Sequence, residues 1–150
     1  MIITLTLNPC FDRTLTIDRL TPGHTHLVRA TKTEVGGKGI NVSTVLKNLG
    51  IASHCTGVLP ENGSRLIESE LNCRGIADHF SHVQGEVRTN IKVFDSAMRN
   101  MTEFNEKGHL PERFSTADLI ELIERMVLPS DTHKVLVLSG SVPKGMDHAI

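Results

Sequence analysis

The period of apolar and polar positions changes several times along the chain, and each change marks an element. Residues 2–7 alternate β-branched and aliphatic side chains and stop at Asn8-Pro9, where proline removes a backbone donor and turns its neighbour away from helix. A first strand is expected there. Residues 14–20 alternate again, Thr21-Pro22-Gly23 supplies turn chemistry, and residues 27–34 mix apolar with polar positions. That pattern predicts a half-exposed antiparallel hairpin. After Gly36-Gly37-Lys38-Gly39, Val42, Val45, Leu46 and Leu49 recur at helical spacing and Gly50 follows as a stop. A helix should therefore open at the glycine cluster, with those four residues as its apolar face.

Residues 51–57 predict a short strand, and residues 64–74 carry Leu66, Ile67 and Leu71 on one helical face with Gly75 behind it. Strict alternation over residues 86–95 places Val87, Thr89, Ile91 and Val93 on one side of a strand and Arg88, Asn90, Lys92 and Phe94 on the other. Residues 105–113 read as a polar loop. Ser115-Thr116-Ala117-Asp118 has the form of a capping box, and the apolar residues from Leu119 to Val127 extend a helix toward Pro129. Val135-Leu136-Val137-Leu138 is an unbroken apolar run, expected as a strand buried on both faces, and it empties into Ser139-Gly140-Ser141. Residues 144–150 resemble the opening of another helix. Strands alternating with helices predict an α/β fold with a mostly parallel sheet flanked by helices, the early hairpin being an appendage.

At 150 residues the chain has room for one domain. A net charge of -1 removes the attraction on which nucleic-acid or anionic-membrane binding rests. Aromatic residues are 3% with no Trp or Tyr, which excludes stacking platforms for single strands. No basic segment followed by an apolar stretch opens the sequence and no run reaches membrane-span length, so a cytoplasmic chain is expected. Cys10, Cys55 and Cys73 are too few and too widely spaced for a disulfide framework and are expected as free thiols. His24-x-His26, at a turn, and His79-x-x-His82, in a strand-to-loop stretch, are expected at the surface, with no metal site.

The candidate chemistry begins at the glycine cluster. Three glycines allow close backbone approach, a helix N-terminus offers unpaired N–H groups, and Lys38 adds positive charge; together they form an anion cradle. It is neither a Walker loop, which would need Gly at 32, nor a dinucleotide fingerprint, which would need Gly at 42. A glycine turn with a solvated lysine is the alternative. Asn8 and Asp12 follow the first strand, where open α/β sheets place ligands. Asp12 suits sugar hydroxyls, or else a surface Asx-turn. Arg88 beside Asn90 suits a phosphate ester or polyol, or else a solvated edge. Ser139-Gly140-Ser141 reads as a tight turn, and with no G-x-S-x-G elbow acyl transfer is unsupported.

In order, Asn8-Pro9-Cys10-Phe11-Asp12, Gly36-Gly37-Lys38-Gly39-Ile40-Asn41-Val42, Val87-Arg88-Thr89-Asn90 and Ser139-Gly140-Ser141-Val142-Pro143 resemble the PfkB-type ribokinase-like carbohydrate kinases. Within them the chain is similar to the 1-phosphofructokinase and tagatose-6-phosphate kinase branch, over nearly its whole length. The resemblance implies that Asp12 holds sugar hydroxyls and that Gly36, Gly37, Asn41 and Ser139 line the substrate site. It implies that Lys38, Arg88 and Asn90 receive the substrate's existing phosphate. Residues 14–34 and about 86–105 would form a β lid that covers the sugar and supplies a homodimer contact.

The implied reaction is ATP- and Mg2+-dependent phosphorylation of a hexose phosphate, fructose 1-phosphate to fructose 1,6-bisphosphate first among the choices. The family's G-A-G-D segment, with its general-base Asp, and the ATP site belong to a C-terminal half that is expected to be absent here. The sequence contains no Gly-Asp pair. No catalytic residue is assigned, and the chain is expected to hold the sugar-phosphate-binding half and to be inactive alone. Asn100-Met101-Thr102-Glu103 has the letters of the family's N-x-x-E metal motif but lies too early in the chain. The alternative is a non-catalytic sugar-phosphate-binding or dimerisation module.

Overall fold

The structure is a computed structural model and describes residues 1–109, 114–127 and 133–144. The order of elements is β1 (Ile2–Thr6), β2 (Cys10–Ile17), β3 (Ala30–Gly36), α1 (Lys38–Asn48), β4 (Ser53–Pro60), α2 (Glu61–Cys73), β5 (Ala77–Glu86), β6 (Arg88–Asp95), β7 (Asn100–Phe104), α3 (Thr116–Val127) and β8 (Val135–Leu138). The helix expected over residues 144–150 falls outside the described residues from 145 onward.

One sheet runs β5-β4-β1-β8, and every pair in it is parallel. Its two faces bury different clusters. Cys55 and Leu59 of β4 point toward α1 and α2, where they meet Ile40, Ile67 and Leu71. The intervening Val58 points the other way, onto Leu119 of α3 and Phe114. Helices thus cover both faces, as a parallel sheet requires.

The second sheet runs β3-β2-β6-β7. β2 pairs antiparallel with β3 but parallel with β6, which pairs antiparallel with β7. The appendage is therefore a mixed sheet rather than an antiparallel hairpin, because β6 returns to it through the β4-α2-β5 crossover and not through a tight turn. The hairpin also starts earlier than the alternation suggests, at Cys10, so Asp12 lies within a strand and not in an Asx-turn.

α1 corrects the sequence reading. Its buried residues are Gly39, Ile40 and Ser43, while Val45 and Leu49, assigned to the apolar face, are 57% and 68% exposed. The helix is seated by close approach and hydroxyl bonding instead of an apolar stripe. A Cβ on Gly39 would stand 2.5 Å from the Leu5 carbonyl oxygen. Behind it, Ser43 Oγ meets Thr4 Oγ1 at 2.8 Å and accepts from Ser53 Oγ at 2.9 Å. Periodicity of apolar residues cannot detect a helix held in this way.

β8 is a second correction. It pairs with β1 alone among the described residues, and Val135 and Leu138 are 57% and 62% exposed, so the strand is not buried on both faces. A run of apolar residues reports strand propensity, not how many neighbours cover the strand. β5 is longer than the strand-to-loop stretch read at His79 and His82, since its two apolar anchors, Phe80 and Val83, face opposite sides and break the alternation. α2 matches its expected start: Asn62 and Gly63 are non-helical and regular helix begins at Ser64. The capping box forms, with Ser115 N donating to Asp118 Oδ2 at 2.7 Å and Asp118 N to Ser115 Oγ at 3.3 Å.

On the α3 side of the sheet, His54 Nδ1 lies 3.2 Å from His79 Nε2. The ring centroids are 5.4 Å apart with planes 18° from parallel. The centroid separation exceeds the N···N distance by about the two ring radii, so the rings meet edge to edge through a shared proton. Burial, the neighbouring His79 and the N-terminal ammonium hold His54 below its ordinary 6.5. The unfolded chain then binds that proton more readily. Stability contributed by neutral His54 is present above about 6.5 and is lost as pH falls toward the folded value. His54→Gln should flatten the pH dependence of the urea midpoint in that window, and an unchanged slope would remove the pair from the acid limb.

Candidate functional site

Between the carboxyl ends of β1 and β8 and the inner face of the mixed sheet lies a cleft of about 540 Å³. Its floor is Thr6 at the end of β1 and Asn8 beyond it, the start of α1 at Gly37, Lys38 and Asn41, and the Ser139-Gly140-Ser141 turn after β8. Its wall is Cys10, Asp12, Arg88, Asn90, Lys92 and Glu103 from the mixed sheet, with Asn105 beyond β7. The parallel register of β2 on β6 pairs Cys10 with Arg88 and Asp12 with Asn90, so alternate residues of both strands project into the same space.

Asp12 is the most connected of these groups. Its Oδ1 accepts from Asn90 Nδ2 at 2.9 Å, and its Oδ2 accepts from Lys92 Nζ at 3.1 Å. Partial burial pushes the carboxyl up, but the Asn90 and Lys92 hydrogen bonds and the Lys92 charge outweigh it and hold Asp12 below its usual range. Beside it the Cys10 thiol is pushed up to about 11 by burial and by the Asp12 charge, so at neutral pH it is a neutral wall group and not a nucleophile.

Arg88 is held from three sides and left incomplete. Its Nη1 donates to Asn90 Oδ1 at 2.8 Å and to the Glu106 carbonyl at 2.9 Å, and its Nη2 donates to the Asn8 carbonyl at 3.3 Å. Its Nε is buried without a partner among the described residues. A buried cationic donor without an acceptor is costly, by about 1–3 kcal/mol or more, and asks for an explanation. The guanidinium to which it belongs lines the cleft and brings its positive charge there.

Lys38 stands at the first position of α1, whose first turn has no acidic residue and whose N-cap, Gly37, makes no side-chain cap. A lysine there opposes the helix dipole, so the end of the helix is doubly positive and suited to an anion. Gly37 has φ 134, a conformation that side chains rarely adopt, and a Cβ would meet Thr6 Cγ2 at 2.8 Å. Thr6 Oγ1 accepts from Ile40 N at 3.0 Å and anchors the helix start to β1. On the other side, Gly140 packs against the Lys38 stem, and Asn8 Nδ2 donates to Ser141 Oγ at 3.0 Å.

Residues 5–150 match the pfkB family carbohydrate kinases. The chain belongs to this family. Among its relatives, the 1-phosphofructokinase of Xanthomonas campestris pv. campestris is 37% identical over 150 aligned residues, covering 96% of this chain and 44% of that protein. The tagatose-6-phosphate kinase of Staphylococcus epidermidis is 31% identical, covering 98% of this chain and 46% of that protein. Phosphofructokinase-2 from Escherichia coli, solved in complex with fructose-6-phosphate, superposes with a TM-score of 0.84 at 25% identity, over 97% of this chain and 47% of that one. The chain thus spans a little under half the length of the pfkB-family relatives it matches.

The structure places the sequence-derived residues as follows. Asp12, Gly37, Lys38, Asn41, Arg88, Asn90 and Ser139 all line the cleft. Gly36 stands behind it, where a Cβ would come 2.7 Å from Cys10 Sγ and 3.1 Å from Asp12 Oδ2; it makes room for the carboxylate rather than lining the site. Sequence reasoning passed over Thr6, Lys92, Glu103 and Asn105. Lys92 carried a usable signal, since alternation already puts it on the face of Arg88 and Asn90. Glu103 carried no local signal beyond its place in the letters N-x-x-E. Among the described residues no group of three or more His, Cys, Asp or Glu is placed to hold a metal ion, and no helix is long and apolar enough to cross a membrane.

Proposed function

We propose that the cleft binds a hexose phosphate as the acceptor sugar of an ATP-dependent kinase, with fructose 1-phosphate, converted to fructose 1,6-bisphosphate, as first choice. The observation that carries this reading is Arg88, whose guanidinium is pinned by Asn90, Glu106 and Asn8 at the wall of a cleft that also holds Lys38 at a helix start. One phosphate completes both, while Asp12 and Asn90 face the hydroxyls. The names of the relatives support the choice of sugar.

Mg2+ and nucleotide would supply the transferred phosphoryl group and neutralise its charge. The described residues include no cluster suited to the metal, and the sequence holds no Gly-Asp pair for the family's base. This chain's own residues are therefore assigned binding and orientation of the sugar, with the mixed sheet as the lid that excludes water. A homodimer through that lid is part of the proposal, supported by the exposed Met98, Met101 and Phe104 around β7.

Calorimetric titration with fructose 1-phosphate and tagatose 6-phosphate tests the reading: saturable binding of one or both is expected. Lys38→Met should weaken that binding by about 1.5–3 kcal/mol, the usual worth of a hydrogen bond to a charged group. Unchanged affinity would take Lys38 out of the site, and no binding by the native chain would sink the proposed function. Binding without turnover in the presence of ATP is expected both of this reading, since the chain is assigned binding alone, and of the second, a sugar-phosphate-binding module, and it distinguishes either from an unfolded chain.

A further inference from the structure

We propose that Lys92 is the positioning residue of the cleft, its ammonium fixing the Asp12 carboxylate as an aimed, ionised acceptor for the sugar hydroxyls. The proposal rests on the sugar-phosphate reading for its ligand, and on geometry for the rest.

Laid out by register, the inner face of the mixed sheet is a small grid. Asp12 has Glu34 of β3 on one side and Asn90 of β6 on the other. One rung further along, Thr14 has Lys32 on one side and Lys92 on the other, and Lys92 is followed by Glu103 of β7. Asp12 is therefore faced by Cys10 on its own strand, by Glu34 and Lys32 from β3, by Arg88, Asn90 and Lys92 from β6, by Glu103 from β7, and across the cleft by Lys38 of α1.

Only one of these cations is committed to Asp12. Lys32 is engaged by Glu34 at 2.8 Å, and the Nη groups of Arg88 are spent on Asn90 Oδ1 and two carbonyls. Lys92 alone reaches the carboxylate, at 3.1 Å. With side chains 26% and 23% exposed, this is the least solvated ion pair among the described residues; the others are open enough to be screened.

Two consequences make this a device for the ligand. Asn90 on one oxygen and Lys92 on the other fix the carboxylate plane, so its remaining lone pairs keep one direction. The cleft also has to admit a phosphate dianion past Asp12 and Glu103. Among the described residues its cations are Lys38, Arg88 and Lys92, and Lys92, by pairing with Asp12, offsets that carboxylate and leaves Lys38 and Arg88 to the phosphate, a part it loses once Asp12 is neutral. The lowered Asp12 and the raised Lys92, the latter caused first by its hydrogen bond to Asp12, agree with this geometry.

The test begins without sugar. In the full chain, the Asp12 carboxyl is titrated by carbon-detected NMR in the native protein, K92M, K92Q and K92R, with the amide spectrum confirming the fold of each. The midpoint should move up in K92M and K92Q and return toward the native value in K92R. An unmoved midpoint overturns the role of Lys92 whatever the sugar does. Fructose 1-phosphate is then titrated into native, K92M, D12N and the double variant. K92M should bind about ten- to a hundredfold more weakly, and adding K92M to D12N should cost no more than about twofold further. Losses that multiply would assign Lys92 a separate role and overturn the proposal. A native chain that binds no sugar phosphate, with Asp12 still shifted, sinks the proposed function and the ligand named here together.

Discussion

Replacing Arg88 with methionine should remove most of the affinity for fructose 1-phosphate, a loss of about 2–5 kcal/mol, typical when one partner of a buried, hydrogen-bonded charge pair is deleted. The expectation follows from how the side chain is held. Three donated bonds to Asn90, Glu106 and Asn8 fix the guanidinium before any ligand arrives, so little ordering is left for binding to cost. Its positive charge is then met by the phosphate in the complex. Arg88→Lys should rescue little, because an ammonium cannot reproduce the planar fork that ties β6 to the Asn8 and Glu106 carbonyls. Calorimetry on both variants, with amide spectra as the control for folding, decides it. Native-like affinity in Arg88→Met would leave the phosphate without its principal receiver and would move the site elsewhere.

The largest effect on stability is expected from Gly57→Ala. Gly57 pairs with Thr6 across the parallel β1–β4 ladder and has φ 137. A Cβ there would lie 1.9 Å from the Thr6 carbonyl oxygen and 2.7 Å from its carbon. Backbone strain of about 1–3 kcal/mol adds to an overpacking cost of about 1–3 kcal/mol, against a total stability of about 5–15 kcal/mol for an ordinary domain. Because Thr6 both lines the cleft and anchors the start of α1, the displacement would pass directly to the site. Gly50→Ala is the control: its φ is 75 but nothing lies within 4 Å, so it carries the strain without the collision. Urea unfolding of the two variants should separate them clearly, and equal midpoints would show that β1 and β4 part more easily than their register suggests.

Much of the site was legible because strands advertise their faces. The alternation of residues 86–95 put Arg88, Asn90 and Lys92 on one side, and the structure keeps them there. The glycine cluster read correctly as a helix start for a physical reason as well: α1 begins at Lys38, with Gly37 at its N-cap position in a conformation that favours glycine. What stayed hidden were relations between distant segments. Nothing local in Cys10-Phe11-Asp12 announces that Asp12 will be half-buried, since its environment is made by Asn90 and Lys92 from another strand. The inward face of α1 was misread because glycine and serine carry little hydrophobic signal, although here they mark the tightest contact with the sheet. β8 was misread for the opposite reason, a strong apolar signal on a strand that pairs on one side among the described residues.

The parallel pairing of β2 with β6 also orders events in time. Asp12 and Asn90 are 78 positions apart, and the chain between them must first complete α1, β4, α2 and β5. The β2–β3 hairpin and the β6–β7 hairpin each close locally, but joining them requires a long loop closure, the slow kind of contact in folding. The surroundings of the Asp12 carboxylate are thus assembled from halves that meet late. During refolding, recovery of ligand binding should lag behind recovery of helix, so that binding reports completion of the whole sheet rather than of either hairpin.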